Sequence, residues 1–533
     1  MADLAASPGG LNNCAARPAW AGRSMSGATF AALMSTIFAL GAALRFWDLA
    51  RAPIWMDEAF SYMAAQLPLQ TILFGQIDNH PPLFFALQHL WLSAQPSIEA
   101  LRVPAALAGS LAVLITGLAT ADLVSRRAGL AAAAYLALCT GHIYFSQDAR
   151  MYPLLSLGLA LAFWGLVGLA QRPERRLPYA ALYVAGGVVA VYSQLLALVF
   201  LALLNAALVL WAVAAQRWKA AVAPIVLSNL VLGVLSIPWL LSMATAMDTF
   251  HGLKTFGPRT AVWFFNNMVG FPGLPKPLKT PANLLFVALL LFGAFRAWRG
   301  GERAVVLATV TGLLAFPMAL VVLNTREAIL ENRVFTPCEV AAAVLFGLAA
   351  TSLKPAALRY AVLSAVLLLS AASSFAEHRL RVKPEDPRQV LVSAAQHGFS
   401  EAPVVTCHFL PAMSAHLTAP DHPVYFLGLD GPVRVDQDFH RVIAMSMNAL
   451  HRARSADYAR YIGGNANVAQ NERTLASGGR VIAVSSSCRE NRVDEYLSAL
   501  GMTKVAEPAI HPAPRTIFTN VYTEVGLWKK PGA

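Results

Sequence analysis

Pro81-Pro82-Leu83-Phe84-Phe85-Ala86-Leu87-Gln88-His89-Leu90-Trp91-Leu92-Ser93-Ala94-Gln95 decides how this chain is threaded. The segment is apolar but shorter than the about 20 residues needed to cross a hydrocarbon core, and it carries Gln88 and His89. Longer apolar runs flank it: Thr29–Trp47 before it, then 101–123, 128–145, 152–170, 178–193, 195–214, 220–241, 282–299, 303–323, 334–352 and 357–374. If Pro81–Gln95 crossed, Arg126-Arg127, Arg172/Arg175/Arg176, Arg217/Lys219, Arg296/Arg299/Arg303 and Lys354/Arg359 would all lie outside. Short loops rich in Lys and Arg favour the cytoplasm. The segment is therefore expected to lie along the outer surface as an interfacial helix, which leaves about 11 transmembrane helices.

Composition agrees. Of 533 residues, 57% are hydrophobic and 13% charged, against about 25% charged in an ordinary soluble domain. That excludes a disordered chain, a collagen-like or disulfide-rich scaffold and a purely soluble enzyme. The net charge of +12 is explained by the basic inner loops, so no nucleic acid partner is expected. Thr29–Trp47 has no small-residue cleavage site after it and reads as a retained span. The expected organisation is a cytoplasmic tail over 1–26, a membrane domain over 27–375 and an extracytoplasmic α/β domain over 376–533. In that last domain, strands are expected at Pro403–Cys407, Val424–Leu427 and Arg480–Val484, with helices at Gln389–His397 and Val493–Leu500. No GxGxxG follows a strand, so no dinucleotide site is expected. The five cysteines include no CxxC pair; Cys407 and Cys488 are expected in an oxidising compartment, where they could form a disulfide, with two free thiols the reading preferred.

The unusual residues lie in the outer loops 48–100, 146–151, 242–281 and 324–333. Trp55-Met56-Asp57-Glu58-Ala59 sets two carboxylates at the membrane boundary, where ionisable groups are costly and point to function. The same pair would also suit the first turn of a helix. Gln147-Asp148-Ala149-Arg150-Met151-Tyr152 joins two apolar runs on the same face, so carboxylates from two loops are expected to converge. Between them stands His80, which serves equally well as a structural hydrogen-bonder. Arg333, at the outer end of a late run, suits either lipid headgroups or a bound phosphate, which a planar guanidinium matches. Lys254, Arg259, Lys276 and Lys279 add positive charge to loop 242–281, and with it an anionic ligand.

Carboxylates, cations and an apolar surround on the outer face fit glycosyl transfer from a polyprenyl-phosphate sugar. The acceptor hydroxyl needs a carboxylate base, and the leaving lipid phosphate gains charge that a fixed cation stabilises. The lipid tail stays in the bilayer, so the site must open at the interface.

These residues resemble, in order, the motifs of the GT-C glycosyltransferases, in the bacterial branch similar to protein O-mannosyltransferases and the aminoarabinose transferases of lipid A. Arg45 with Trp55-Met56-Asp57-Glu58-Ala59 resembles the first-loop acidic motif. His80-Pro81-Pro82-Leu83-Phe84-Phe85 resembles the His-Pro-Pro-Leu segment, followed by Arg102. Gln147-Asp148-Ala149-Arg150-Met151-Tyr152 resembles the second-loop motif, Arg333-Val334-Phe335-Thr336-Pro337 the late Arg-Tyr-x-x-Pro element, and Glu385-Asp386-Pro387-Arg388 the Asp-Trp-Arg segment before the outer domain. Gln194 stands where relatives often carry a histidine.

The resemblance implies a polytopic α-helical GT-C fold with a C-terminal α/β domain in a bacterial inner membrane, the site facing the periplasm. It implies Asp57, Asp148 and Glu58 as catalytic carboxylates, Asp57 as base or acceptor-orienting group. His80, Gln147, Arg150, Tyr152 and Arg333 are implied as substrate-binding, the two arginines toward the lipid phosphate. No cofactor is required; a divalent metal is left open, with Asp57, Asp148 and His80 as its ligands. Expected partners are the polyprenyl-phosphate sugar, a glycan, lipid or protein acceptor, and membrane lipids. The competing functions are a transporter or flippase for an anionic lipid or solute, and a polymerase or ligase of lipid-linked glycans.

Overall fold

The computed structural model describes residues 25–74, 77–78, 80–244, 265–325, 329–379, 387–407, 409–427, 431–435, 468–485, 492–508 and 525–532. The first helix, α1 (Gly27–Phe46), starts where the Ser26 hydroxyl accepts from Thr29 N at 3.0 Å. It ends just before Asp48, whose φ of 53° no helix tolerates. The loop after α1 then folds into three short helices, α2 (Met56–Ala65), α3 (Leu69–Phe74) and α4 (Leu83–Ala94). Twelve residues make α4 about 18 Å long, which cannot span; it buries Phe84, Phe85, Gln88 and Leu92.

Seven helices follow. They are α5 (Val103–Leu123, with Pro104 in its first turn), α6 (Arg126–Leu138), α7 (Thr140–Ser146), α8 (Tyr152–Gln171), α9 (Arg176–Val191), α10 (Leu196–Ala214) and α11 (Trp218–Ala244). α6 and α7 form one path bent by 62°. α8 and α9 pack backbone to backbone: a side chain on Gly165 would strike the main chain of Tyr179 and Tyr183, and one on Gly186 that of Gly158 and Ala162. Small residues permit such close approach where lipid gives no hydrophobic drive between helices. Across α9, α10 and α11, Tyr183, Asn205 and Asn229 close a ring of hydrogen bonds of 2.7–2.8 Å.

The second half holds α12 (Lys276–Arg299), then α13 (Arg303–Val310) and α14 (Phe316–Asn324), joined by a π-helical turn over Thr311–Ala315. Pro317 sits just past that turn and lacks the N–H that a regular ladder would need. α15 (Pro337–Ser352) is the innermost helix, and α16 (Ala356–Arg379) is the last of the bundle. Among the described residues nine helices are long and apolar enough to cross a membrane, ten if α6 and α7 count as one span. The eleventh expected span is α9, which at sixteen residues is only about 24 Å long yet runs from the basic Arg172–Arg176 turn to Tyr192, whose carbonyl accepts from Leu83 N at the head of α4 at 3.2 Å.

The C-terminal unit contains α17 (Pro387–Gln396), β1 (Val404–Thr406), α18 (Phe409–Thr418), β2 (Val424–Leu427), β3 (Pro432–Arg434), α19 (Val468–Ser477), β4 (Arg480–Val484), α20 (Arg492–Ala499), β5 (Thr503–Ala506) and β6 (Val525–Lys529). They form a six-stranded mixed sheet in the order β3-β2-β1-β4-β6-β5, with β1 parallel to β2 and β4 and the other pairs antiparallel. The three strands expected from sequence are its centre, buried along most of their length. The strands that sequence patterning missed are a short hairpin partner and two C-terminal strands, one of them, β5, mostly exposed. Cys407 is disulfide-bonded, which corrects the expectation of two free thiols; Cys139 and Cys338 are free and buried, and Cys488 lies outside the described residues.

The α/β unit sits directly on the loop that follows α1. Ser414 Oγ donates to Ile54 O and Arg388 Nη2 donates to Arg51 O at 2.5 Å; Trp47 stacks on His378 of α16 with centroids 4.6 Å apart.

Candidate active site

Two clusters form where the loop after α1 meets the 147–151 and 331–335 turns, one behind the other. The rear cluster is built on Arg102, the residue before α5, which is 2% exposed against a fully buried Glu58. The pair is bidentate, Nε to Oε1 at 2.6 Å and Nη2 to Oε2 at 2.7 Å. Arg102 also donates to the carbonyls of Leu49, Ala52 and Pro53 at 2.5–2.9 Å, and Glu58 accepts from Ala149 N at 2.9 Å. Alongside, Trp55 Nε1 donates to Asp148 Oδ1 at 2.8 Å. Gln147 Nε2 donates to Leu44 O and Trp47 O, both at 3.0 Å, and so closes the C-terminal end of α1. Glu58, Asp148 and Gln147, named from sequence as site residues, are thus buried and bonded to the frame that joins loop 47–58 to the turn 147–151.

The front cluster is more open. Asp57, in the first turn of α2, is 23% exposed and ion-paired through Oδ2 with Arg333 Nη1. Arg150 Nε lies 3.9 Å from the same oxygen, and its Nη1 donates to Asp57 O at 3.3 Å and to Ser61 Oγ at 3.4 Å. Burial pushes the Asp57 carboxyl up, but the charges of Arg333, Arg150 and His80 outweigh it and hold the group below its ordinary value. Asp57 is therefore ionised at neutral pH. For Arg150 the balance also favours charge: burial lowers it, and Asp57, Tyr152 and Asp78 more than restore it.

His80 Nδ1 is 2.9 Å from Asp78 Oδ2 and 3.5 Å from Arg150 Nη2. The shorter contact governs, so Nδ1 carries the proton and donates to Asp78. Arg333 Nε also pairs with Glu331 Oε2, a residue that sequence patterning left unassigned although it stands two positions away. The Tyr152 hydroxyl is buried, finds no hydrogen-bond partner among the described residues, and lies within electrostatic reach of Arg333, Arg150 and Asp57.

The structure thus brings Asp57, His80, Arg150, Tyr152 and Arg333 together, with Asp78, Ser61 and Glu331 as additions, and sets Asp148, Glu58 and Gln147 behind them. Asp148 is taken by Trp55 while His80 turns to Asp78. The ligand set left open for a divalent metal does not share a point, and among the described residues no three His, Cys, Asp or Glu side chains are placed to hold an ion. Lys254, Arg259, Glu385 and Asp386 lie outside the described residues, and Lys276 and Lys279 open α12.

Beneath both clusters, a third polar group sits inside the bundle. Arg45, fully buried, donates to Gly41, Leu136 and Ala137 carbonyls and meets His142 Nδ1 at 2.7 Å. A guanidinium only donates, so that nitrogen accepts. Glu339, on α15, is buried beside Gly141. Its sequence signal is an acid inside an otherwise apolar run. Arg45 ties α1 to the α6–α7 bend and thereby aims the turn that carries Asp148 and Arg150.

The architecture matches ArnT from Cupriavidus metallidurans in the apo state with a TM-score of 0.55 at 13% identity, over 94% of this chain and 97% of that one. The chain has the GT-C fold. The same ArnT bound to undecaprenyl phosphate aligns with a TM-score of 0.51 at 13% identity, again over 94% and 97% of the two chains. A more distant likeness is the oligosaccharyltransferase of Archaeoglobus fulgidus in complex with Zn and sulfate, TM-score 0.48 at 15% identity, over 85% of this chain and 67% of that one. No family model matches the chain, and no curated protein matches it in sequence. At such identities the GT-C fold is shared through packing and chain path, since few side chains are held in common.

Proposed function

We propose that this multi-pass membrane protein is an inverting glycosyltransferase that moves a sugar from a polyprenyl-phosphate donor to an acceptor hydroxyl of a lipid, glycan or protein. The site would face the periplasm of a bacterial inner membrane, because the basic loops gather at the opposite helix ends. One observation carries the proposal: a part-exposed, ionised Asp57 lies between two guanidiniums where the apolar bundle meets the α/β unit. Support comes from the shared fold, one of whose members has been seen with undecaprenyl phosphate bound.

The chemistry follows from the placement. Asp57 takes the proton of the acceptor hydroxyl, whose oxygen attacks the anomeric carbon. The bond from that carbon to the phosphate oxygen breaks, its electron pair leaves with the polyprenyl phosphate, and direct displacement inverts the anomeric centre. Arg333, 22% exposed, is accessible to the leaving phosphate and would stabilise its growing charge. Arg150, 4% exposed, holds the Asp57 main chain in place. Glu58 and Asp148 would act through the frame, as positioning residues.

The test is incubation of the purified protein with a panel of polyprenyl-phosphate sugars, scoring released lipid phosphate. Asp57→Asn is expected to cut release by roughly 10²–10⁴-fold while the protein still folds and unfolds cooperatively on heating. Full activity in that variant, or movement of intact lipid-linked sugar across vesicles without release, would overturn the proposal.

A further inference from the structure

At the end of the membrane domain opposite Asp57, the C-terminal ends of α5, α12 and α15 enclose a cavity of about 200 Å³. Its walls include Arg296 and Arg299 from the last turn of α12, Lys354 just past α15, and Glu302 from the turn before α13. We propose that this cavity binds the phosphate headgroup of an anionic lipid in the leaflet away from the Asp57 site. The inference stands independently of the transferase chemistry.

The cations are uncommitted. Among the described residues none of Arg296, Arg299 and Lys354 is ion-paired, whereas three other basic residues of this face are held by protein groups. Arg172 pairs with Asp122 at 2.8 Å, Arg126 donates to Met25 O at 2.6 Å, and Arg217 donates to Gln171 O at 2.9 Å. Positive loops on one face are a general property of membrane proteins; three unpaired cations around a formed cavity are more than it requires. Glu302, the one carboxylate of the wall, offsets only one of the three positive charges. The hydroxyls of Thr351 and Ser352 donate to carbonyls of their own helix, which leaves an anion to the cations.

The ligand chemistry follows from the approach to the cavity. On α12, Phe292, Phe295, Arg296 and Arg299 stand three, four and seven residues apart and share one side. Both rings are exposed, and the Arg299 guanidinium lies over Phe295 at 5.6 Å. An acyl chain laid along these rings places its phosphate at the guanidiniums. A volume of about 200 Å³ is below the roughly 300–1,000 Å³ of a whole small-molecule pocket, which suits a headgroup and excludes a nucleotide sugar.

The test uses the full chain in detergent, titrated by native mass spectrometry with dioleoylphosphatidic acid, dioleoylphosphatidylcholine and glycerol 3-phosphate. Phosphatidic acid is expected to bind, the other two to bind much more weakly. The triple variant Arg296→Gln, Arg299→Gln, Lys354→Gln should lose roughly a hundredfold in affinity for phosphatidic acid, about fivefold per cation. A control triple, Arg175→Gln, Arg176→Gln, Lys219→Gln, removes three charges of the same face outside the cavity and should lose less than a single cavity cation does. Should the cavity triple fail to fold, Arg296→Gln alone should show the fivefold step. Equal losses in the two triples, or no loss in the cavity variants, would overturn the site; glycerol 3-phosphate binding as tightly as the lipid would overturn its lipid ligand.

Discussion

Asp57 and Glu58 are adjacent in the chain yet face different charges. Glu58 is closed off by Arg102 in a fully buried bidentate pair, whereas Asp57 shares Arg333 with Glu331 at a part-open surface. The difference comes from the helix: successive residues of α2 point about 100° apart, so one carboxylate turns into the frame and the next along the cleft. The electrostatics of Asp57 can be tested directly. Burial raises its pKa, and the Arg333 charge is the largest influence lowering it. Arg333→Gln should therefore move the acid limb of the pH profile of kcat/KM to higher pH, with a lower plateau, when measured from about pH 3 to 8. A limb that stays in place would assign it to another group. The linkage has the matching sign. A carboxyl with a depressed folded pKa adds stability above its unfolded value near 3.9 that is lost as pH falls through the folded one, so acid should loosen the contact between α2 and the Arg333 turn.

The elements that hold this geometry are short, and their stability is borrowed. α2 has ten residues and no side-chain cap, too few to be stable alone in water. What fixes it is the Arg102–Glu58 pair at one end, packing against α4 along its length, and the Ser414 hydrogen bond to Ile54 O from the α/β unit. A buried ion pair often breaks even against apolar replacements, but removing one partner strands the other and costs about 3–5 kcal/mol. Arg102→Met should therefore destabilise the purified protein by that order and disorder the Leu49–Pro53 loop. Thermal unfolding checks the first effect, and protection from hydrogen exchange of the Arg51 amide, which donates to Asp48 O at 3.1 Å, the second. An unchanged unfolding temperature would mean that Arg102 contributes little beyond its methylenes.

At the scale of the whole molecule, the helix ends sort into two faces. One carries Asp57, Arg150, Arg333 and the α/β unit; the other carries the basic turns and the 200 Å³ cavity. The arrangement predicts how the protein sits in a membrane. Ser477→Cys, exposed on the α/β unit, should react with an impermeant maleimide in intact spheroplasts, and Arg175→Cys, exposed at the opposite end, only after lysis. The reverse pattern, or labelling of both from one side, would invert or break the orientation on which the periplasmic assignment stands.

Much of this was legible in the chain because a bilayer imposes a coarse rule. A span must be long and apolar, so α1, α5, α8, α10 to α12, α15 and α16 could be read from hydropathy, and the failure of Pro81–Gln95 to reach that length set the facing of every later loop. The motif residues could be read as well, because charge at a membrane boundary is costly enough to stand out. What the chain alone left open was which carboxylate meets which cation. Asp57 and Asp148 were both expected in one cavity, and their separation into an open cluster and a buried frame depends on Arg102 and Trp55, whose partners lie 44 and 93 positions away. Hydropathy depends on a residue's own side chain and its near neighbours; a hydrogen bond depends on where two distant segments come to rest, and here that was decided by the packing of α2, α5 and the 147–151 turn against one another.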